Sequence, residues 1–138
     1  MSRRKGRILA FQGVYSWDVS QSPLEDILKF SWAHGDDTEA ESGKDEYVFA
    51  SLIISGTIEN VAKIDEMIKS HLSASWTMER INKVSLAILR TSIYEMKFQA
   101  GSEPNIVIDE AVSIAREYGL EDSYKFINAV LDKIGKEA

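Results

Sequence analysis

The stretch "RRKGRILAFQGVYSWDV", residues 3–19, sets the fold class. Its apolar residues Ile8, Phe11, Val14 and Tyr15 recur at steps of three and four, the spacing that puts side chains on one face of an α-helix. The stretch therefore predicts an amphipathic helix from Arg3 to about Val19. The same helix carries Arg3, Arg4, Lys5 and Arg7 at its mouth, four of the chain's 16 basic residues. Cations there oppose the positive end of the helix dipole, at roughly a few tenths of a kcal/mol each. A solvated, fraying terminus is one reading of such a run. The other is a segment that anchors on phosphates, gaining counterion release as it orders. Gly6 is expected to keep the run pliable.

The helical period continues outward from there. "SPLE" (22–25) reads as a Ser N-cap with Pro at the first helical position and Glu at the third. It opens a helix through Leu24, Ile27 and Leu28 that closes near Gly35. From Asp45 to about His71 the period is kept by Val48, Leu52, Ile58, Val61, Ile64 and Ile68, with Gly56 expected to kink or divide the run. Thr77 is the expected cap of a helix through Ile81, Val84, Ile88, Tyr94 and Phe98 to Gly101. Pro104 starts the next, which runs through Ile108, Ala111, Ala115 and Tyr118 to Gly119, the residue suited to a left-handed C′ position. Asp122 or Ser123 caps the last helix, built on Phe126, Ile127, Val130 and Ile134. No two-residue hairpin signal occurs. The chain is expected to be all-α, six or seven helices in a single domain covering residues 1–138, with the helices before and after about residue 76 forming two subbundles.

Composition narrows the function. A chain of 138 residues with 44% hydrophobic and 28% charged residues is long enough for one core. The absence of cysteine excludes a disulfide framework and thiolate chemistry, and suits a reducing compartment. Gln12 and Asp18 break the apolar run behind the basic cluster, and no run approaches the ~20 apolar residues of a membrane span. A cytoplasmic protein without membrane contact is expected. The net charge of −6 is concentrated in "DDTEAESGKDE" (36–46), which alone holds six acids and one lysine. The remainder is close to neutral, so acidity is no obstacle to a polyanionic ligand. The surrounding connection, 34–46, has no assigned role.

Catalysis finds no support. The two histidines, His34 and His71, are expected at the surface, and no HExxH, GxSxG, Walker or GxGxxG pattern occurs. The acidic pairs Asp36/Asp37, Asp109/Glu110 and Glu121/Asp122 are adjacent residues, which diverge by about 100° on a helix. Neither an enzyme nor a cofactor or metal is expected. "EDSYKFINAVLDK" (121–133) is the second candidate site. Asp122, Ser123, Lys125 and Asn128 bring cations, amides and carboxylates beside Tyr124 and Phe126, the mixture that single-stranded RNA recognition uses. Helix capping by Asp122 or Ser123, and a core position for Phe126, remain the alternatives.

Taken together, "RRKGR" with "FQGVYSW", Trp76 and Arg80 in "SWTMERINKV", "AILRTSIYEM", "EPNIVIDEAVSIAREYG" and "EDSYKFINAVLDKI" resemble the NusB family of bacterial transcription antitermination factors. The resemblance covers nearly the whole chain. It implies two small helical bundles and a function by binding, without catalysis. The implied partners are boxA, a short single-stranded element of nascent RNA, and NusE, a small-ribosomal-subunit protein. Both belong to an RNA polymerase antitermination complex that reads through terminators, especially in ribosomal RNA operons. By matching motif, Arg3, Arg4, Lys5 and Arg7 form the RNA-binding segment, and Asp122, Lys125 and Phe126 a second RNA-facing patch. Tyr15 and Glu79 match positions facing NusE. Ser85 stands on that partner face where the family often carries an acid, and Ala129 replaces a common Gly, which would crowd a close helix contact. The competing readings are a NusB-like domain from the front of an RNA cytosine methyltransferase, and an assembly scaffold or homodimer without RNA binding.

Overall fold

The computed structural model describes residues 3–34 and 45–137, so most of the acidic connection 34–46, Asp36/Asp37 included, lies outside the described residues. Those described form eight α-helices and one short 3-10 turn: α1 Arg3–Val19, α2 Leu24–Ile27, α3 Ser31–His34, α4 Asp45–Glu59, α5 Val61–Lys69, the turn Met78–Arg80, α6 Lys83–Phe98, α7 Pro104–Tyr118 and α8 Ser123–Lys136. The all-α class follows the helical period along the chain.

α6 is the axis. Leu86, Ala87, Ile88, Leu89, Ile93 and Met96 are all buried, because α6 packs against α1, α4, α5, α7 and α8. A helix buried on nearly every side sits inside other helices, and the polar groups it carries, Arg90 and Glu95 among them, are paired with charges on its neighbours. α1 packs on α4 with one side and on α6 with another. The two expected groups of helices are thus joined across α1 and α6, and their apolar residues form one continuous core.

Several local signals act differently from expectation, each for a tertiary reason. The Ser22/Glu25 reciprocal cap does not form: α2 starts at Leu24 with Pro23 in the N-cap position and no side-chain cap. It ends after one turn because Phe30 turns the chain at φ 56° and buries its ring 5.0 Å from that of Tyr47. The long period from Asp45 breaks at Asn60 rather than Gly56, with a bend of 73° between α4 and α5. Asn60 Nδ2 donates to the Gly56 carbonyl at 2.8 Å. Gly56 stays helical because a Cβ there would collide with the Tyr94 ring, so the missing side chain is what lets α4 and α6 approach. The cap of α6 is Asn82, whose Oδ1 accepts from the Ser85 N–H at 2.9 Å, while Thr77 precedes the 3-10 turn. Gly119 has φ −87°, not a left-handed value; a Cβ there would lie 2.5 Å from Ser123 Oγ, so closeness and not conformation requires glycine. Among the described residues no single helix is long and apolar enough to cross a membrane.

Candidate nucleic-acid interface

The basic cluster is helical from Arg3 onward. Gly6 is buried in that helix, and a Cβ on it would lie 2.6 Å from the Phe49 ring. It serves close packing of α1 on α4, contrary to the expected pliability. The four cations separate by environment. Arg3 is exposed, its guanidinium 4.5 Å above the Phe49 ring centroid. Lys5 is exposed, with its ammonium 6.0 Å from the Tyr47 centroid. Arg4 reaches α7: Nη2 donates to Glu117 at 2.6 Å, and Nη1 to Ser113 at 2.9 Å and to Glu110 at 3.5 Å.

Arg7 turns inward instead. Its Nε and Nη2 hold the two Glu95 oxygens at 2.9 and 2.6 Å, and Nη1 reaches Glu110 at 3.3 Å. Only 14% of its side chain is exposed, and 7% of that of Glu95. The hydrogen bonds to the Glu95 carboxylate raise the Arg7 pKa above its ordinary value, against the opposing effect of burial. Arg7, the fourth cation of the expected RNA-binding segment, is therefore engaged by carboxylates inside the fold. The carboxylates of Glu95, Glu110 and Glu117 also offset the unfavourable meeting of cations with the helix dipole.

The second segment divides across α8. Asp122 and Lys125 are exposed and lie 3.8 Å apart. Asp122 occupies the N-cap position at φ 65° but makes no side-chain cap, its carboxylate facing Lys125 instead of the helix N–H groups. Phe126 is half-buried, its ring 5.8 Å from that of Trp76. The Arg80 guanidinium lies 4.9 Å from the Trp76 centroid and is fixed by a 2.9 Å bond to the Ser75 carbonyl. Between Trp76, Phe126, Ala129, Val130 and Lys133 runs a groove of about 340 Å³. Ala129 is exposed in that groove and crowds no helix contact. On the other side of α8, Arg116 lies 4.3 Å from the Tyr124 centroid. The last turn of α7 thus touches both segments, Glu117 at Arg4 and Arg116 at Tyr124. Sequence reasoning left Trp76 and Arg80 without a role; an aromatic and an arginine four apart beside a helix start were the available signal.

The expected partner face lies at the other end of α1. Tyr15 is half-buried on that helix and Glu79 is exposed in the 3-10 turn. Lys83 lies 3.6 Å from Asp18, one helical turn beyond Tyr15, which brings the start of α6 to the same end. Ser85 departs from its expected place: it is buried, because its N–H closes the Asn82 cap and its hydroxyl points inside. Deeper in α6, Arg90 grips Asp65 with two 2.9 Å bonds and lies 3.3 Å from Asp18. His71 is half-buried at the edge of the Trp76–Phe126 groove, and its Nε2 is 3.0 Å from Oε1 of exposed Glu137.

Comparison with known proteins places this arrangement. The model of the NusB family matches residues 4–136. The transcription antitermination protein NusB of Treponema denticola is 46% identical over 134 residues, covering 97% of this chain and 96% of the relative. That of Borreliella burgdorferi is 42% identical over 131 residues, covering 94% and 91%. Among solved structures, T. maritima NusB aligns with a TM-score of 0.85 at 32% identity, over 99% of this chain and 92% of that one. A chain from the crystal structure of antitermination factors NusB and NusE in complex with dsRNA aligns with a TM-score of 0.80 at 28% identity, over 97% and 96%.

Proposed function

The chain belongs to the NusB family, and from that premise we propose that it is a transcription antitermination factor that binds boxA-type single-stranded RNA together with NusE. It acts by binding and not by catalysis, in the cytoplasm, within an RNA polymerase complex that supports read-through and ribosomal RNA transcription. The observation that carries this reading is the pair of contacts made by the last turn of α7. They set half-buried Arg4, at the mouth of α1, and Tyr124, at the start of α8, against neighbouring residues of α7, while the exposed Arg3 and Lys5 flank Arg4 over the Phe49 and Tyr47 rings of α4. In this arrangement the cations hold phosphates, which position the strand without reading it. Asp122 and Lys125 contact base edges, and Phe126, backed by Trp76, offers a stacking face. Tyr15 and Glu79 contribute to the NusE face.

The salt dependence of RNA binding tests the assignment. Three phosphate contacts from Arg3, Arg4 and Lys5 give a slope of log affinity against log salt of about −2, at ~0.7 per phosphate on a single strand. Replacing Arg3 and Arg4 together by alanine flattens it by about 1.4 and weakens boxA-type and scrambled RNA alike. An unchanged slope would refute the role of the basic mouth.

A further inference from the structure

We propose that Glu117, supported by Ser113 and Glu110, is an internal competitor that latches Arg4 and sets the protein's affinity for RNA. The inference rests on reading the mouth of α1 as a phosphate-binding segment. Both terminal nitrogens of the Arg4 fork are occupied from α7: Nη2 by Glu117 at 2.6 Å, Nη1 by Ser113 at 2.9 Å and Glu110 at 3.5 Å. A carboxylate and a hydroxyl therefore stand where phosphate oxygens would bind, since a guanidinium fork takes either anion in the same bidentate geometry.

Two features separate this pair from an ordinary structural bridge. Its partners are open, with 35% of the Arg4 side chain and 53% of that of Glu117 exposed, whereas the Arg7–Glu95 pair beside it is enclosed. An exposed pair is weak and exchanges readily, so phosphate can displace Glu117 at Arg4 while Arg7 keeps its carboxylate. Secondly, Arg7 already satisfies Glu95, so the negative charge of Glu117 and part of that of Glu110 bear on Arg4 alone. RNA that engages Arg4 either breaks these contacts or brings a phosphate against a carboxylate, and both lower the affinity. The full set of contacts is thus reserved for strands already held elsewhere.

Fluorescence anisotropy with a boxA-type single-stranded RNA, on the full chain at about 0.1 M salt, tests the latch through five proteins: wild type, E117Q, R4A, the R4A/E117Q double variant and D109N. Asp109 is an exposed carboxylate on the same helix and controls for long-range charge. The expected result is an affinity gain of about two- to five-fold in E117Q, the worth of an exposed ion pair. D109N gains less, and R4A abolishes the E117Q gain. A gain that persists in the R4A background, or that D109N equals, is a field effect and overturns the latch, as does an E117Q affinity at or below wild type. If R4A alone leaves binding unchanged, the phosphate-binding reading of α1 falls and the latch with it; if R4A weakens binding while E117Q is neutral, only the latch falls.

Discussion

At position 126 a phenylalanine stands half in and half out of the fold, its ring 5.8 Å from that of Trp76 and at the edge of an open groove. The adjacent Ile127 is fully buried, and with Val130, Leu131 and Ile134 it supplies the core face of α8 without help from Phe126. Exchange of Phe126 for aspartate should therefore remove a stacking face worth about 1–3 kcal/mol to RNA binding and set a negative charge against phosphate. Melting temperature and boxA binding measured on that variant should diverge, with binding lost and the melting point within a few degrees of wild type. A steep fall in stability, or intact RNA binding, removes Phe126 from the site. Asp122, at φ 65°, uses its backbone carbonyl to accept the Lys125 N–H at 3.1 Å, while its exposed carboxylate lies beside the Lys125 ammonium.

Between elements, two ion pairs of opposite sense fix α1 on α6. Arg7 of α1 holds Glu95 of α6, and Asp18 of α1 approaches Arg90 of α6, itself held by Asp65 of α5. One pair stands near each end of the long α1–α6 contact, so a slip by one turn breaks both. Breaking an enclosed pair on one side strands the other charge, at about 3–5 kcal/mol. Arg7→Ala should lower the melting temperature by roughly 10 °C, and the double variant Arg7→Met with Glu95→Met should recover most of the loss, since two apolar side chains strand nothing. A double variant as unstable as the single one would show that the pair does not act as a unit. The raised pKa of Arg7 places its pH dependence. A group whose folded pKa is raised stabilises the fold below its unfolded value and loses that contribution as pH rises through the folded one. Arg7 therefore adds no step to a melting curve in the neutral range, and its loss belongs to the far alkaline side.

For the whole molecule, a single core means single behaviour. Leu89 and Ile93 are completely buried in α6, among the residues that link the early helices to the late ones. Ile93→Ala should cost about 2–5 kcal/mol. Its unfolding, followed in single-tryptophan variants keeping Trp17 or Trp32 in the early helices or Trp76 in the later part, should give coincident transitions. Separated transitions would show two independent subbundles. Assembly carries a parallel expectation. If the RNA and NusE surfaces cooperate, NusE tightens RNA binding by some factor and RNA tightens NusE binding by the same factor, as linkage requires. Tyr15→Asp should weaken the protein pair while leaving the fold intact; a variant that unfolds instead places Tyr15 in the core. Titrations in both orders check the equality.

By itself the sequence determined the helices and where positive charge would gather. The spacing of Ile8, Phe11, Val14 and Tyr15 foretold α1 from Arg3 to Val19, and Pro104 marked the first residue of α7, because apolar period and proline geometry act within a turn or two of chain. The quoted motifs and their order also carried the resemblance to the family, which the comparisons bear out. Tertiary structure alone decided the surroundings of each cation. Arg3 and Lys5 are exposed, Arg4 is paired with Glu117 and Arg7 is drawn inside, although the four lie within five residues. Their partners Glu95 and Glu117 lie 88 and 113 positions away, beyond any local pattern. The same distance hid the work of Gly6, Gly56 and Gly119, which read as flexible or chain-breaking in sequence but are kept bare by Phe49, Tyr94 and Ser123. Helical period reports that a face will be buried; it does not report what will be buried against it, and that contact settles whether a charged residue holds the fold together or meets a ligand.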